Sequence, residues 1–553
     1  MSFTSKILNN AVSAINAQQA IIANSGNNIA NVNTPGYTRR VVNLETRFGS
    51  QTGGLAIGNG VQIGSITRIT DLFLEGLSRS SAGERSYYEV QNSFLQRTES
   101  LFSLTGEGDT IGSAFTEFVS SLDNLTLNPS SIELRSDVLE RAQDLVNSIS
   151  TTYNNLAELQ SEAQDRLDAE VGVVNTLTSQ IAQLNGVIAG REASGGLAAD
   201  ERDQRDLLMQ QLSERIEYDS VENPDGSVNI SLSNGFPLVA GVNSRSLDVT
   251  TEPNGTASNA TLLDGTSMGF IVYDYDTTGL SPAHLDLTSV LKNGTGSIGG
   301  LLAIRGTAPI SASGAFAADG VLVDFASRVE AIAQNLVQVF NNAYQGNDTD
   351  GATAGVQSDA VDLDGNRPGM MGFFSLSGLT NGDIDGADGS VADQIVSQDE
   401  LRALQTNGTI TSVASLLQVA ISDPRAIAAA QDDGAAGIAG LEGDATNLTG
   451  VISAISAAQD FGAVGSFSRS GVTFNQVYNE LVGRVGNVAS RTSIDYSVAE
   501  SSYTATQAKR DEVSAVSLDE EFTNLIKFQK AFEANARVLR IGGELLDSIL
   551  QVL

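Results

Sequence analysis

Three places in this chain carry residues whose type and spacing could do chemistry. Gly294-Thr295-Gly296-Ser297-Ile298-Gly299 fits G-x-G-x-x-G, and Asp319 stands about twenty positions on, where a dinucleotide site keeps an acid for the ribose. That reading needs a strand between helices, whereas Ala308 to Gly320 is rich in Ala, Ser and Gly. A glycine turn ahead of a helix fits better. Asp362-x-Asp364-x-Asn366 opens like a calcium loop, but Arg367 and Phe373 stand where the loop needs Gly and a closing Glu. Asp383-x-Asp385 also lacks the closing Glu, because Gln394 occupies its place. Surface Asx-turns are expected at both. His284 is the single histidine and there is no cysteine, which excludes a histidine metal cluster, a thiolate nucleophile, Cys-ligated zinc and disulfides. No nucleophile–base pair stands out among 66 acidic residues, so no catalytic, cofactor-binding or metal-binding residue is predicted and the cofactor expectation is none. The chain reads as a structural subunit and not as an enzyme.

The charge bears on partners. The net charge is −35, but residues 1–40 carry +3 and residues 517–553 carry −2, which leaves −36 for residues 41–516. Such a surface repels nucleic acid and anionic membrane. Nearly neutral ends can pack on copies of themselves while the acidic middle keeps a particle in solution. No run approaches the roughly 18 uninterrupted apolar residues of a membrane span, so no membrane insertion is expected. Residues 1–24 show no basic segment followed by an apolar core, so the expectation is no cleaved secretory signal.

The elements that would position an interaction surface lie at the two ends. Leu8, Ala11, Ile15, Gln18, Ile22, Ser25 and Ile29 alternate at spacings of three and four, a heptad seam with two polar interruptions. Asn33-Thr34-Pro35-Gly36 then predicts a type II turn. At the other end Leu518, Phe522, Leu525, Gln529, Phe532, Ala536, Leu539, Gly543, Leu546, Leu550 and Leu553 keep the same alternation. Ser517 and Glu520 make a capping box there, and Asp519 and Glu521 suit the helix N-terminus. Between the ends, residues 41–70 predict short strands. Ile111 to Leu125 and Leu156 to Ile188 predict amphipathic helices, and Val228, Ile230 and Leu232 alternate as a strand. Val321 to Ala343 predicts another helix, and the Gly- and Asp-rich residues 346–460 read as an outlying, loop-rich domain.

Asn28-Ile29-Ala30-Asn31-Val32-Asn33-Thr34-Pro35-Gly36-Tyr37 resembles the signature after the first helix of bacterial flagellar rod, hook and hook-associated proteins. The run Ser517-Leu518-Asp519-Glu520-Glu521-Phe522 through Phe528-Gln529-Lys530-Ala531-Phe532 resembles, within that class, the hook-associated protein 1 family of hook–filament junction proteins. Asn128-Pro129 with the helix after it, Ser233 to Val239 and Gly296 to Leu302 agree with that family. The resemblance implies a multidomain α+β fold. Residues 1–35 and 517–553 would form an inner domain of paired, coiled-coil-like terminal helices. Residues 36–217, 296–345 and 461–516 would form an α-helical rod domain, 218–295 a β-rich outer domain and 346–460 a variable outer insertion.

It further implies export, unfolded, through the flagellar type III apparatus, and a place outside the cell in a helical ring of copies. The implied partners are copies of itself, the hook protein, the second junction protein (hook-associated protein 3) and a cytosolic export chaperone on the C-terminal helix. An isolated N-terminal helix of this length is marginal in water, so it should order when the C-terminal helix and neighbouring subunits cover its stripe. The assembly residues expected are Leu8, Ala11, Ile15, Ile22, Ile29, Leu518, Phe522, Leu525, Phe532, Leu539, Leu546 and Leu550, with Asn33, Pro35 and Gly36 setting the turn. The alternatives are another axial protein of the rod or hook class, or a calcium-dependent surface binder using the Asp-rich segment.

Overall fold

The computed structural model describes residues 3–47, 50–52, 55–102, 110–253, 258, 260–274, 284–307, 319–345, 360–366, 372–379, 401, 403–405, 409–431, 443–465 and 467–552. The chain is α+β, with long helices and several small antiparallel sheets. It divides into two compact units.

The first unit takes residues 1–85, 173–246 and 498–553. Helix α1 (Phe3–Ala30) packs along the last helix, Leu518–Val552. Strands β1 (Arg40–Thr46) and β4 (Val61–Arg68) form an antiparallel hairpin beside α1, with β2 (Ser50–Thr52) and β3 (Leu55–Ile57) paired between them in sequence. The unit also holds the start of α2 (Leu72–Leu101), the last part of α4 (Ile132–Ala193), α5 (Ala199–Ser213) and a four-stranded sheet over 219–244. That sheet is fastened to α4 by Asn185. Its Nδ2 donates to the carbonyls of Val228 and Gly241 at 2.8 and 2.7 Å, and its Oδ1 accepts from the Val228 amide at 3.0 Å.

The second unit takes residues 86–172 and 247–497. Helix α3 (Ile111–Leu127) begins at Thr110, whose side chain accepts from the Ser113 amide, and stops before Pro129. Its face of Ile111, Phe115, Phe118, Leu122 and Leu125 is buried, as the periodicity predicts. The α4 stripe is likewise buried from Leu156 to Ile181, within a helix of 62 residues. Helix α6 (Gly296–Arg305) begins inside the G-x-G-x-x-G run. A Cβ on Gly300, the residue after that run, would stand 2.6 Å from the Tyr87 carbonyl oxygen, so Gly300 serves close packing against α2. Helix α7 (Val321–Asn335) runs into a π-helical turn, Leu336–Phe340.

The described residues of 346–460, expected as an outlying, loop-rich domain, are anchored to the helices of the second unit. Phe373 and Phe374 are fully buried, and both rings lie 5.0 Å from Phe340 and about 6 Å from Phe118. The buried Glu330 carboxylate accepts from Gln405, Ser412 and the amides of Val413 and Ala414, at 2.6–3.0 Å. Buried Arg135 donates to the carbonyl of Ile427 at 2.6 Å. Low hydrophobic periodicity concealed this attachment, which runs through isolated aromatic and polar anchors. The β-rich span 218–295 is also divided: strands over 219–244 fall in the first unit and those over 248–286 in the second. Asn185 holds one group, while Gln160 and Gln164, also on α4, accept from the Leu263 and Gly269 amides of the other.

Phe118→Ala removes a ring from the centre of the aromatic cluster. Calorimetry should show the second unit losing about 3–5 kcal/mol, seen as a lower melting transition, with amide protection in α1 unchanged.

Candidate functional site: the terminal helices and their root

Helix α1 leaves through the predicted turn. The Tyr37 amide donates to the Thr34 carbonyl at 3.2 Å with Pro35 and Gly36 at the centre, and Gly36 has φ +77°. A left-handed third residue is the type II geometry, which glycine adopts without strain. Asn33 is exposed. The polar work falls to Asn28, which is fully buried. Its Nδ2 donates to the Arg40 carbonyl at 3.0 Å, and its Oδ1 accepts from the Tyr37 hydroxyl at 2.8 Å and the Arg40 amide at 3.2 Å. Asn24 donates to the same Arg40 carbonyl at 2.7 Å. These asparagines lie on an α1 face that apolar periodicity leaves out.

Helix α5 receives the chain beyond the turn. Asp200, Asp203 and Asp206 recur every three residues along it. Arg40 pairs with Asp200 and Asp203 at 2.5 and 2.9 Å, and Arg68 pairs with Asp203 at 2.7 Å and with Asp206. The Thr38 hydroxyl also donates to Asp203. Burial pushes the Asp203 carboxyl above the ordinary range, with Arg68 and Arg40 opposing. Burial likewise raises the Tyr37 hydroxyl, opposed by the Arg40 guanidinium 4.8 Å above its ring.

The terminal helices run antiparallel. A Cβ at Gly542 would stand 2.8 Å from Leu8 Cδ2 near one end, and Arg39 meets Glu521 at the other. After α8 (Thr446–Ser456) and α9 (Phe474–Ser514), the last helix, Leu518–Val552, is α10. Its better-covered positions follow Glu521, Leu525, Phe528, Phe532, Asn535, Leu539 and Gly542. Leu525, Phe532 and Leu539 were expected in the seam. Leu518, Phe522 and Leu546 are instead exposed, Phe522 by 51%, and the Leu550 side chain lies outside the described residues. The true seam uses Glu521, Asn535 and Gly542, residues that a count of apolar positions cannot find. On α1, Ala11 is buried and Leu8, Ile15, Ile22 and Ile29 are half-buried. The capping box forms only in part. The Glu520 amide reaches Ser517 Oγ at 3.5 Å, while the Glu520 carboxylate goes to Arg39 at 2.6 Å.

Pairing leaves further apolar side chains of α10 exposed: Leu518, at the helix start, then Phe522 and Ile526 on one flank of the seam and Val538, Ile541 and Leu545 on the other. Among the described residues no His, Asp or Glu group could hold a metal ion, and no helix is long and apolar enough to cross a membrane. At the candidate calcium loop the Asp364 carboxylate is paired with Arg425, and Asp362 Oδ1 accepts the amides of Asp364 and Asn366. Asp383 and Asp385 lie outside the described residues.

Both ends of the chain thus fold into one unit around a helix pair, with a mainly helical middle. The sequence models described as "Flagella basal body rod protein" and "Flagellar basal body rod FlgEFG protein C-terminal" match residues 8–38 and 507–552. This is the architecture of a flagellar axial protein. The model described as "Flagellar hook-associated protein FlgK helical domain" matches residues 95–357. Flagellar hook-associated protein 1 of Bacillus subtilis is 28% identical, aligned over 100% of this chain and 98% of its own length. The Escherichia coli protein of that name is 24% identical over 99% and 100%. The solved flagellar hook junction protein FlgK of Burkholderia pseudomallei shares the fold, with TM-score 0.57 and 15% identity over 80% of this chain and all of that one. Along its whole length the chain is similar to proteins named flagellar hook-associated protein 1, which are structural flagellar components and not enzymes.

Two substitutions test the root. Gly36→Val places a branched residue at positive φ, costing about 1–2 kcal/mol, and sets its Cβ 3.2 Å from Leu207 Cβ. Asn28→Ala strands buried groups at about 1–3 kcal/mol each. Hydrogen exchange should show both opening residues 31–40 while leaving the second unit protected.

Proposed function

We propose that copies of this chain form the helical ring that joins hook to filament. The hook protein lies on one side and hook-associated protein 3 on the other. The chain reaches that place outside the cell by type III export, unfolded, with its C-terminal helix held by a cytosolic chaperone beforehand. The observation that carries this reading is the set of apolar side chains on both flanks of the α10 seam that stay exposed in the single subunit, among them Phe522, Ile526, Ile541 and Leu545. A helix covered along one row and exposed apolar on its flanks is suited to further partners in turn, the chaperone first and neighbouring copies later. The seam residues Leu8, Ala11, Ile15, Ile22 and Ile29, with Leu525, Phe532 and Leu539, shape the paired unit. Leu518, Phe522 and Leu546, with Ile526 and Ile541, supply the contact between subunits. The turn at Pro35 and Gly36 directs the chain from this inner pair to the rest of the subunit. The full-length match to proteins named hook-associated protein 1 supports the junction over a rod or hook position.

Electron microscopy of cells lacking the gene tests the reading. Finished bare hooks with flagellin released to the medium are expected, and cells arrested before hook completion would instead indicate a rod or hook protein.

Exposed and covered positions of α10 should separate by mutation. Ile541→Asp, at an exposed position, should weaken chaperone binding at least tenfold and block incorporation, with the melting temperature unchanged. Leu539→Asp, in the covered row, should also expose α1 to protease. Calorimetric titration with the chaperone and limited proteolysis measure the two effects.

A further inference from the structure

The row Leu525, Phe532 and Leu539 of the α1–α10 seam does not fix register by itself. The three are apolar and seven residues apart. Sliding one helix by a heptad therefore keeps an apolar residue at each place along that row. The turn of residues 31–39 and the short link 515–517 permit such a slide, because unwinding the adjoining helix ends supplies chain at more than 3 Å per residue in place of 1.5 Å.

The alternate row, Glu521, Phe528, Asn535 and Gly542, is not uniform, and Glu521 is its charged member. Glu521 is only 2% exposed, and its carboxylate accepts from Arg39 Nε at 2.9 Å, while Arg39 Nη1 holds Glu520 at 2.6 Å. Arg39 belongs to neither helix, and its position is fixed independently. Its amide donates to the Ser514 carbonyl, and its carbonyl accepts from the Ile69 amide, both at 2.9 Å. We infer that Arg39 is a fixed reference against which Glu521 sets the register of the terminal helix pair. A one-heptad slip moves the two about 10.5 Å apart along the helix. Apolar contact survives the slip, but a carboxylate in the seam is left without its cation. Removing one partner of a buried ion pair is far more costly than replacing both by apolar groups, and register selection is the best-attested use of such pairs. Glu521 is thus a positioning residue, acting through the alignment of α1 and through the face that α10 then shows to neighbouring copies.

The absence of native cysteine makes the test clean. Leu8→Cys is combined with Gly542→Cys as the in-register reporter, or with Asn535→Cys or Ile549→Cys as off-register reporters one heptad to either side. Each full-length pair is treated with a short bismaleimide. In the otherwise native chain the 8–542 product should exceed either off-register product at least tenfold. In Arg39→Met/Glu521→Leu the helices should remain paired by circular dichroism and protease resistance, while that preference falls to less than threefold. Arg39→Lys/Glu521→Asp should retain the native preference. A tenfold preference kept in the apolar variant would overturn the inference. So would loss of all three crosslinks in that variant, which would make the pair a source of stability and not of register.

Discussion

The antiparallel seam between the first and last helices is the interaction on which the rest depends. It joins residues more than 500 positions apart, so everything between is a closed excursion from its two strands. Neither helix is apolar enough to bury itself completely. Helix α1 gives one face to α10 and another, through Asn24 and Asn28, to the start of the β1–β4 hairpin. Helix α10 packs along α1, and among the described residues its Phe522, Ile526, Val538, Ile541 and Leu545 stay exposed. Intrachain pairing and a surface for assembly are two consequences of one shortage of partners.

The root of the pair is electrostatic where the seam is apolar. Asp203 holds Thr38, Arg40 and Arg68, and Glu521 holds Arg39, so consecutive residues after the turn are fixed by carboxylates from two different helices. Desolvating several charges this way contributes little net stability, but it places the chain in one arrangement. That placement turns a flexible exit from α1 into a defined crossing toward the rest of the subunit.

Much of this was legible in the sequence. The turn was, because Pro-Gly after a helix has few conformations; so were the α3 and α4 faces, and the pairing of the termini through the family resemblance. The rotation of the α10 seam was not, because Glu521, Asn535 and Gly542 are invisible to hydrophobic periodicity and Arg39 is distant in sequence. The polar face of α1 was missed for a related reason: Asn28 was read as part of a signature, when its side chain binds Tyr37 and Arg40. The place of residues 409–431 was hidden because Glu330 and Arg135 reach them across long sequence separations.

A helical reconstruction of the ring assembled on purified hooks is the sharpest test of the helix pairing. In it α1 and α10 of each subunit should stay paired through Leu525, Phe532 and Leu539. Phe522, Ile526, Ile541 and Leu545 should then be buried against neighbouring copies. A ring in which those four side chains face water, or in which α10 abandons α1 of its own chain, would contradict it.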